Sequence, residues 1–532
     1  MAFGHPANSG AVIDVNPAKA IANHARTHGD AVVIRYEGGD LTYAELNDRV
    51  TRLGVALADG GVTHGDRVTY LGLNSPAFLI TMLACFRIGA LFVPVNFRLA
   101  GPELQTVLDR SGSTAIVCED DHRPAIDLVR DETPIKRFLL VDDDPAVPVE
   151  SPNPRGWEPW SQVLTEAGHT NQAPASAHFD DPAIVMFTSG TTGLPKGVLL
   201  THGNIWWNSI NVDSRIDTRR WDTTYAVAPL FHVGALNSFV VRTMVRGGTV
   251  LIRRTFEPQQ FLDDLVDHRV NSLFAVPAML SALHRVPGAF EADLSELRSI
   301  VVAGAPVSPS LIRQFAEHGV WLQQAWGLTE TSPFATHLPV EHTLDKIGSA
   351  GIAMPHTEVR VVDAATNQPL PAGAAGEVVV RGPNVTPGYW QDPDATGKVF
   401  DHEGWFHSGD IGYLDSDGCL FIVDRLKDMV ITGGENVYPA EIERALADTP
   451  GVHDIAIVGA PDDEWGETVV AVISVLPGAT VTLEDLRDHG TERLARYKLP
   501  KRVEVVDQVP RNASGKLDKP AVRKMLHEGT SR

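Results

Sequence analysis

The chain has 532 residues, of which 43% are hydrophobic and 21% are charged, as is ordinary for a protein that buries a large core. This length exceeds that of one compact module and predicts two or three domains. The 67 acidic and 45 basic side chains give a net charge of −22, and the sequence has no basic patch, which excludes a nucleic-acid partner and favours small-molecule ligands.

The sequence carries no sign of export or of a membrane anchor. Three cysteines, Cys85, Cys118 and Cys419, are widely separated, so neither a disulfide framework nor a thiolate metal site is predicted. The start, MAFGHPANSG, lacks the basic and apolar segments of a secretory signal. The most apolar region, 71–97, is interrupted by polar residues and prolines and is predicted to be core. We expect a cytoplasmic protein without integral membrane association.

From Leu41 onward, the sequence alternates between helical and strand patterns. The helix-like segment TYAELNDRVTRLGVAL precedes the β-branched runs RVTYLGL, ALFVPVN and TAIVCED, which predicts an α/β domain with largely parallel strands. The stretch 142–181 is rich in proline and alanine and is predicted to be an exposed connection. Alternation then resumes in TYAVAPL, GTVLI, SLFAV and SIVVAG, so a second α/β block is expected to about residue 340.

The pattern changes after this second block. Between Ile347 and Val423 the strands are shorter and are separated by glycine, proline and aspartate, which is typical of antiparallel hairpins. The last hundred residues mix helical and strand patterns and predict a small separate domain.

The strongest local signal is the segment 188–197, TSGTTGLPKG, which follows the apolar run AIVMF. Its glycines let backbone amides turn toward an anion, its hydroxyl groups donate to oxygens, and Lys196 adds a positive charge. The segment is therefore predicted to bind a polyphosphate, with a solvated polar turn as the alternative. The spacing of Gly193, Lys196 and Gly197 does not fit G-x-x-x-x-G-K-[ST], which excludes a Walker P-loop.

Four further motifs follow this segment: AWGLTE at 325–330, GWFHSGD at 404–410, DRLKDMVITGGENVYPAEIE at 424–443 and PRNASGKLDK at 510–519. In this order the five motifs resemble those of the adenylate-forming superfamily, which includes acyl- and aryl-CoA synthetases, peptide-synthetase adenylation domains and firefly-type luciferases. The resemblance covers most of the chain.

The resemblance implies a particular domain organisation. The expected fold is α/β, and its large N-terminal domain, 1–425, would consist of wound α/β subdomains and a small β-barrel-like subdomain. A small α+β C-terminal domain, 426–532, would be joined to it by a hinge at Lys427 and would carry the catalytic lysine, Lys516. Rotation of this domain would let Gly433 and Gly434, with His232, form a tunnel for the pantetheine of CoA.

The resemblance also implies the roles of individual residues. Glu330 would coordinate Mg²⁺, and Lys196, Thr329, Glu330 and Lys516 would be the catalytic residues. Trp326 stands where the family more often has a tyrosine against the adenine. The residues expected to bind ATP are Thr188, Ser189, Gly190, Thr191, Thr192, Lys196, Gly304, Ala305, Pro306, Trp326, Gly327, Thr329, Asp410, Arg425 and Lys516.

Taken singly, several of these residues fit ordinary structural roles as well. A lone tryptophan such as Trp326, or a histidine such as His232, is often a core residue, and Lys427 and Lys516 also fit exposed surface lysines. The motif context favours the functional roles.

The acid is expected to lack an α-ammonium group. The segment PLFHVGAL, with Phe231 and His232, offers no carboxylate to pair with an ammonium, and an unpaired buried charge is costly. The predicted walls of the acyl pocket are mostly apolar or small and suit an aliphatic, alicyclic or aromatic carboxylic acid: Trp207, His232, Phe239, Gly304, Ala325 and Pro333.

The sequence thus predicts an ATP-dependent acid:CoA ligase that uses Mg²⁺, forms an acyl-adenylate and pyrophosphate, and transfers the acyl group to CoA with release of AMP. One alternative is a stand-alone adenylation enzyme that loads a separate acyl carrier protein. A second is a noncatalytic nucleotide sensor. A homodimer is one assembly that the sequence leaves open.

Overall fold

The computed structural model describes most of the chain, in the segments 13–37, 39–99, 101–146, 149, 156–168, 170, 173–188, 195–305, 307–432, 435–462, 466–491, 493–512 and 515–529. These residues form two compact units. The first takes the described residues of Met1–Ile347, Gly351–Glu358 and Arg381–Phe406, and the second takes those of Gly348–Ala350, Val359–Val380 and His407–Arg532.

The described residues form the following strands: β1 Val32–Tyr36, β2 Leu41–Thr42, β3 Arg67–Leu71, β4 Leu91–Pro94, β5 Ala115–Glu119, β6 Arg137–Val141, β7 Glu158–Pro159, β8 Pro182–Thr188, β9 Lys196–Thr201, β10 Thr223–Ala226, β11 Thr249–Ile252, β12 Ser272–Ala275, β13 Ser299–Val302, β14 Leu322–Gly327, β15 Phe334–His337, β16 Ile352–Ala353, β17 Glu358–Val362, β18 Gly376–Arg381, β19 Gly388–Tyr389, β20 Phe406–Leu414, β21 Leu420–Arg425, β22 Val430–Thr432, β23 Glu435–Val437, β24 Val452–Asp462, β25 Gly466–Val475 and β26 Arg502–Val505.

The helices are α1 Pro17–Thr27, α2 Tyr43–Asp59, α3 Pro76–Ile88, α4 Gly101–Ser111, α5 Arg123–Val129, α6 Trp160–Glu166, α7 His202–Arg215, α8 Val233–Ala235, α9 Val241–Val245, α10 Pro258–Asp267, α11 Pro277–His284, α12 Pro309–Glu317, α13 Pro393–Gly397, α14 Pro439–Leu446, α15 Leu483–Thr491 and α16 Lys519–Gly529. A π-helical turn, Leu236–Val240, joins α8 to α9.

Two mainly parallel sheets organise the first unit. An eight-stranded sheet has the order β19-β9-β8-β4-β3-β5-β6-β7, and a nine-stranded sheet has the order β16-β15-β14-β13-β12-β10-β11-β1-β2. Strand β3 runs parallel to both β4 and β5, and β12 runs parallel to both β10 and β13. The predicted wound α/β organisation is confirmed.

Local sequence signals explain how individual helices begin and where they pack. Thr42 starts α2 with a capping box, in which its side chain accepts from the backbone N–H of Glu45 and the Glu45 carboxylate accepts from the backbone N–H of Thr42. Helix α3 is buried along nearly its whole length, which confirms that the apolar region 71–97 belongs to the core. Within the part of the chain that the structure describes, no helix is both long enough and apolar enough to cross a bilayer.

The prediction of an exposed connection at 142–181 is wrong in part. The stretch contains β7, which extends the eight-stranded sheet, and the short helix α6. Trp157 and Trp160 are buried, and Trp160 joins the large core of the first unit. Burial of the two indole rings removes a large apolar area from water and so stabilises the packing of this segment against the core.

A buried ion pair ties the two sheets of the first unit together. Glu119 ends β5 and is fully buried, and Arg254 follows β11. The guanidinium donates to both carboxylate oxygens, over 3.0 Å from Nη1 and 2.7 Å from Nη2. The hydroxyl of Tyr70 on β3 donates to Oε1 over 2.8 Å, and the amide of Leu73 donates to Oε2 over 3.1 Å. The buried carboxylate is therefore both neutralised and hydrogen-bonded.

The second unit contains two smaller sheets. The predicted hairpins of 347–423 take the form of a four-stranded sheet with the linear order β17-β18-β20-β21, of which β20 and β21 pair antiparallel. The C-terminal part forms a sheet in the order β23-β22-β25-β24, with β26 parallel to β25. Helix α14 packs with one face of this sheet and α16 with the other, because side chains alternate between two apolar clusters along β24. The predicted mixed α+β character of the C-terminal region is confirmed.

Candidate active site

The predicted phosphate loop connects β8 to β9. These two strands form an antiparallel pair in which Thr188 lies opposite Lys196. The loop thus joins two adjacent strands at an edge of the eight-stranded sheet, next to β19. Ser189, Gly190, Thr191 and Thr192 lie outside the described residues.

A second group of predicted residues follows strands of the nine-stranded sheet. Gly304 and Ala305 follow β13 after one buried residue and are exposed, while Pro306 lies outside the described residues. Trp326 is nearly buried near the end of β14. Because β13 and β14 are parallel, these residues emerge at the same edge of the sheet, which is where ligands bind in open α/β folds.

Glycine is required at the end of β14. A Cβ atom on Gly327 would lie 1.8 Å from the carbonyl oxygen of Pro333, so no side chain fits without moving the backbone. The close approach sharpens the turn into Thr329–Thr331, a 3₁₀ turn that presents Thr329 and Glu330. The backbone N–H of Leu328 donates to the Thr331 hydroxyl over 2.8 Å and closes this turn.

Glu330 is held by a segment that sequence reasoning did not single out. The hydroxyl of Tyr389 donates to Oε1 of Glu330 over 2.9 Å, and the amide of Thr386 donates to the Glu330 backbone oxygen over 2.7 Å. The ring centroid of Tyr389 lies 4.9 Å from Nζ of Lys196. Burial, reinforced by the charge of Glu330, raises the pKa of Tyr389 above its ordinary value, so the phenol remains protonated and acts as a donor.

The segment that carries Tyr389 is itself anchored at several points. The side-chain amide of Asn204 on α7 donates to the carbonyl oxygens of Pro383 and Val385, over 3.0 Å and 2.9 Å. Asn384 donates to the backbone oxygens of Thr331 and Phe334, over 2.8 Å and 3.0 Å, on the C-terminal side of Glu330. These hydrogen bonds hold the segment of Tyr389 against the turn that carries Glu330.

The residues present fit a magnesium ion that is bound together with a polyphosphate. Glu330 offers a hard carboxylate oxygen donor, which Mg²⁺ prefers, and Mg²⁺ commonly takes its other ligands from water and substrate phosphates. Among the described residues, no group of three or more histidine, cysteine, aspartate or glutamate side chains is arranged to hold a metal. A single carboxylate donor suits a magnesium ion that takes its other ligands from substrate phosphates and water.

Two of the predicted acyl-pocket residues share one apolar cluster. Phe239 in the π-helical turn and Ala325 on β14 pack with residues from α7, β13, β15 and the segment after β16, namely Val212, Ile216, Val301, Ala303, Phe334 and Met354. Pro333, beside Phe334, is also buried. Trp207 packs elsewhere, with its ring stacked on Phe179 at a centroid distance of 6.0 Å. His232 is the N-cap residue of α8, and its ring lies 4.3 Å from that of Phe231.

Two buried histidines in the first unit are expected to make stability depend on pH. Burial lowers the pKa of His337 to about 3 and that of His202 to about 4, both below the value of 6.5 of an unfolded histidine. As pH falls below 6.5, the unfolded chain binds protons that the folded chain excludes. The two histidines therefore stabilise the fold above pH 6.5, and at pH 5 each is expected to reduce the free energy of unfolding by about 2 kcal/mol.

Urea unfolding at pH 7.5 and pH 5 measures this effect. A His202→Gln/His337→Gln double variant should lose less stability than the parent protein between the two pH values. The exposed His402 supplies the control, because His402→Gln removes an imidazole that is not buried and should alter the pH dependence less than the double variant does. Equal pH dependence in the double variant and the parent would contradict the expectation.

In the second unit, the structure brings together three predicted residues from separate motifs. Asp410 on β20 lies opposite Arg425 on β21, and Nε of Arg425 is 3.5 Å from Oδ1 of Asp410. Lys516 is close enough to both that their charges act on it, with Arg425 lowering its pKa and Asp410 raising it. Desolvation of the ammonium by the surrounding protein is the larger cause and also lowers the pKa of Lys516. Part of the side chain is reached by water, which weakens this effect.

Asp410 is positioned by its own motif. Gly409 adopts a left-handed conformation with φ of 71°, which favours glycine. Its amide donates to Oε1 of Glu377 over 3.1 Å, and Nδ1 of His407 lies 2.8 Å from Oε2 of the same carboxylate. The amide of Asp410 donates to the Ser408 hydroxyl over 3.0 Å. The GWFHSGD motif thus leads into strand β20, where Glu377 on the neighbouring strand β18 holds the backbone just before Asp410.

The remaining predicted residues of the second unit are placed only in part. Lys427 lies in a 3₁₀ turn, Leu426–Asp428, that follows β21. Gly433 and Gly434 lie outside the described residues.

A comparison with protein families decides the class of the protein. The model of the AMP-binding enzyme family matches residues 21–390, which is more than half of the chain. The chain belongs to the AMP-binding enzyme family. The model of the AMP-binding enzyme C-terminal domain matches residues 441–516 and so includes Lys516.

Relatives match this AMP-binding enzyme over nearly their whole length. It is 40% identical over 505 residues to a feruloyl-CoA synthase of an Amycolatopsis species, covering 94% of this chain and 97% of that protein. It is 39% identical over 510 residues to an indoleacetate–CoA ligase of Aromatoleum aromaticum, covering 96% and 98%.

The fold matches solved structures of similar length. An o-succinylbenzoate CoA synthetase of Bacillus subtilis, in complex with its acyl-adenylate intermediate, superposes with a TM-score of 0.83 at 30% identity, covering 96% of this chain and 97% of that one. The same synthetase has been solved with ATP and a magnesium ion, and that structure has a TM-score of 0.83 at 29% identity, covering 96% of this chain and 99% of that one. The mixed α/β fold, with its large N-terminal and small C-terminal parts, is that of the family.

Proposed function

We propose that this chain converts an aromatic carboxylic acid to its CoA thioester, with ATP as the activating substrate. Family membership and relatives of matching length identify an AMP-forming acid:CoA ligase, and the class of acid is our inference. The observation that carries the proposal is that the carboxylate of Glu330 and the ammonium of Lys196, from two motifs far apart in sequence, both contact the Tyr389 side chain.

The chemistry requires activation because a carboxylate is anionic and has no good leaving group. In the first step a carboxylate oxygen attacks the α-phosphorus of ATP, pyrophosphate leaves, and the acid becomes a neutral mixed anhydride with AMP. In the second step the thiol of CoA attacks the acyl carbon, AMP leaves, and the thiol proton passes to solvent. Both steps depend mainly on placing charges, so few protein acids or bases are needed.

Residues of the first unit would have separate roles in the first step, adenylation of the acid. Lys196 and Thr329 would bind phosphate oxygens, and Glu330 would hold the magnesium ion. When bound, Mg²⁺ neutralises the phosphate charge that repels the incoming carboxylate. The apolar cluster of Phe239 and Ala325 would bind the body of the acid, and its aromatic and aliphatic side chains suit an aromatic ring.

In the second unit, Asp410 and Arg425 would bind the ribose, and Lys516 would bridge the carboxylate and the α-phosphate. In this proposal the domain boundary falls between 425 and 426, Lys427 is the hinge, and His232, Gly433 and Gly434 line the path of pantetheine. The compact units divide the chain upstream of this boundary. The compact units are defined by internal packing, whereas the hinge is the place where the backbone bends. The two boundaries therefore need not coincide.

The aromatic acid is supported by two relatives, a feruloyl-CoA synthase and an indoleacetate–CoA ligase, whose named substrates are both aromatic acids. The absence of a carboxylate near His232 in the sequence argues against an amino acid, because a buried ammonium would be unpaired.

A labelled substrate panel tests the proposal. Purified enzyme is incubated with ATP, Mg²⁺ and CoA, and with hydroxycinnamic, arylacetic and medium-chain fatty acids or phenylalanine, each labelled with ¹⁸O in the carboxyl group. We expect one ¹⁸O atom in AMP and the fastest thioester formation with an aromatic acid. Release of ADP and orthophosphate, or a preference for a fatty acid or for the amino acid phenylalanine, would contradict the proposal. Acyl-adenylate that reacts with a carrier protein but not with CoA would support carrier loading instead.

A further inference from the structure

We propose that Tyr389 is a positioning residue for adenylation, because its hydroxyl orients the Glu330 carboxylate and its ring holds the Lys196 ammonium. The inference rests on the proposed function, in which Glu330 and Lys196 act on the same Mg²⁺·ATP. No motif in the sequence assigns a role to this residue.

The hydroxyl group sets the orientation of Glu330. It donates to Oε1 over 2.9 Å, while the backbone oxygen of the same residue accepts from the amide of Thr386 over 2.7 Å. Anchoring one carboxylate oxygen and the backbone of the residue restricts the directions that the second oxygen can take. Partners of this kind, which orient a metal ligand without touching the metal, commonly change metal affinity or activity by about 10- to 100-fold when they are removed.

The aromatic ring of Tyr389 interacts with the positively charged ammonium of Lys196. Nζ of Lys196 lies 4.9 Å from the centroid, within the range of a cation–π interaction. Tyrosine combines a hydrogen-bond donor with an aromatic face, whereas phenylalanine offers the face alone. The Tyr389 side chain thus contacts both the anionic Glu330 and the cationic Lys196, which bind the magnesium ion and the phosphates of ATP in the proposed function.

The backbone of Tyr389 is fixed to the strand that leaves the phosphate loop. Tyr389 pairs with Val198 across β19 and β9, and the amide of the next residue, Trp390, donates to the carbonyl oxygen of Gly197 over 2.7 Å. The amide of Tyr389 donates to the hydroxyl of Thr396 over 2.9 Å. The strand pair therefore fixes the position of the Tyr389 ring relative to Lys196. The hydrogen bond of the Tyr389 hydroxyl in turn fixes Glu330 relative to both.

Two substitutions separate the hydroxyl from the ring. Mn²⁺ binding is measured by electron paramagnetic resonance with the α,β-methylene analogue of ATP, and analogue binding without metal is measured by equilibrium dialysis. Tyr389→Phe should weaken Mn²⁺ binding about tenfold or more and leave metal-free analogue binding unchanged. Tyr389→Leu should weaken Mn²⁺ binding to the same degree and also weaken metal-free analogue binding about two- to fivefold. Acyl-adenylate formation should require correspondingly more Mg²⁺ in both variants.

Tyr225 provides a matched control, because its hydroxyl donates to the buried carboxylate of Asp264 over 2.6 Å. Tyr225→Phe should leave Mn²⁺ binding unchanged. Unchanged Mn²⁺ binding in Tyr389→Phe would overturn the role of the hydroxyl, and identical analogue binding in the Phe and Leu variants would overturn the role of the ring. A parent enzyme that binds Mn²⁺ and the analogue but forms no acyl-adenylate with any acid would instead overturn the proposed function.

Discussion

Replacing Lys516 with alanine is expected to slow acyl-adenylate formation by about 10²- to 10³-fold, the usual effect of removing one preorganised charge from a developing transition state. In the first step two anions must approach each other, and the ammonium of Lys516 would lie between the carboxylate and the α-phosphate. In the second step a thiol attacks a neutral acyl group, so the same ammonium is not required. Thioester formation from supplied acyl-adenylate and CoA should therefore stay at the rate of the parent enzyme.

Single-turnover measurements of both half-reactions check this expectation, and Lys516→Arg refines it. Burial and the charge of Arg425 lower the pKa of Lys516 from its ordinary value of 10.5, so the ammonium is lost at a lower pH than in a free lysine. Adenylation by the parent enzyme should decline on the alkaline side, and the guanidinium of Lys516→Arg, which stays charged, should remove that decline. An equal loss of both half-reactions in Lys516→Ala would show that this residue is not specific to adenylation.

The regular elements were predictable where the pattern is local. Helix α2 follows from its apolar periodicity and its capping box, and the strands β3, β4 and β5 follow from short β-branched runs. The prediction for the segment 142–181 is wrong in part, because its composition suggests a loop while it contains β7 and α6. Burial of Trp157 and Trp160 depends on core positions that are distant in sequence.

The same limit applies to the candidate site. Lys196, Glu330, Asp410 and Lys516 lie in motifs that can be recognised one at a time. Tyr389 does not, because its partner Glu330 is 59 positions away and the contact exists only after β19 pairs with β9. A sequence pattern reports the residue type that a local motif needs, whereas a positioning contact is created by the tertiary fold.

Replacing Arg254 with leucine is expected to reduce the free energy of unfolding by about 3–5 kcal/mol, since it leaves a buried carboxylate without its counter-ion. Glu119 is fully buried, and Arg254 is its bidentate partner although the two residues are 135 positions apart. The loss should be large because the carboxylate is fully buried, and the hydrogen bonds that remain from Tyr70 and the amide of Leu73 do not supply the lost positive charge. Urea unfolding followed by tryptophan fluorescence measures the change.

Two further variants separate the effect of charge burial from the loss of an ion pair as such. Arg35 and Asp40 form an exposed pair at 3.3 Å, and Arg35→Leu should cost less than about 1 kcal/mol. Adding Glu119→Gln to Arg254→Leu should recover part of the lost stability, because the uncompensated charge is removed. If Arg254→Leu and Arg35→Leu destabilised the protein equally, the buried pair would not be what joins the sheet bearing the phosphate loop to the sheet bearing Glu330.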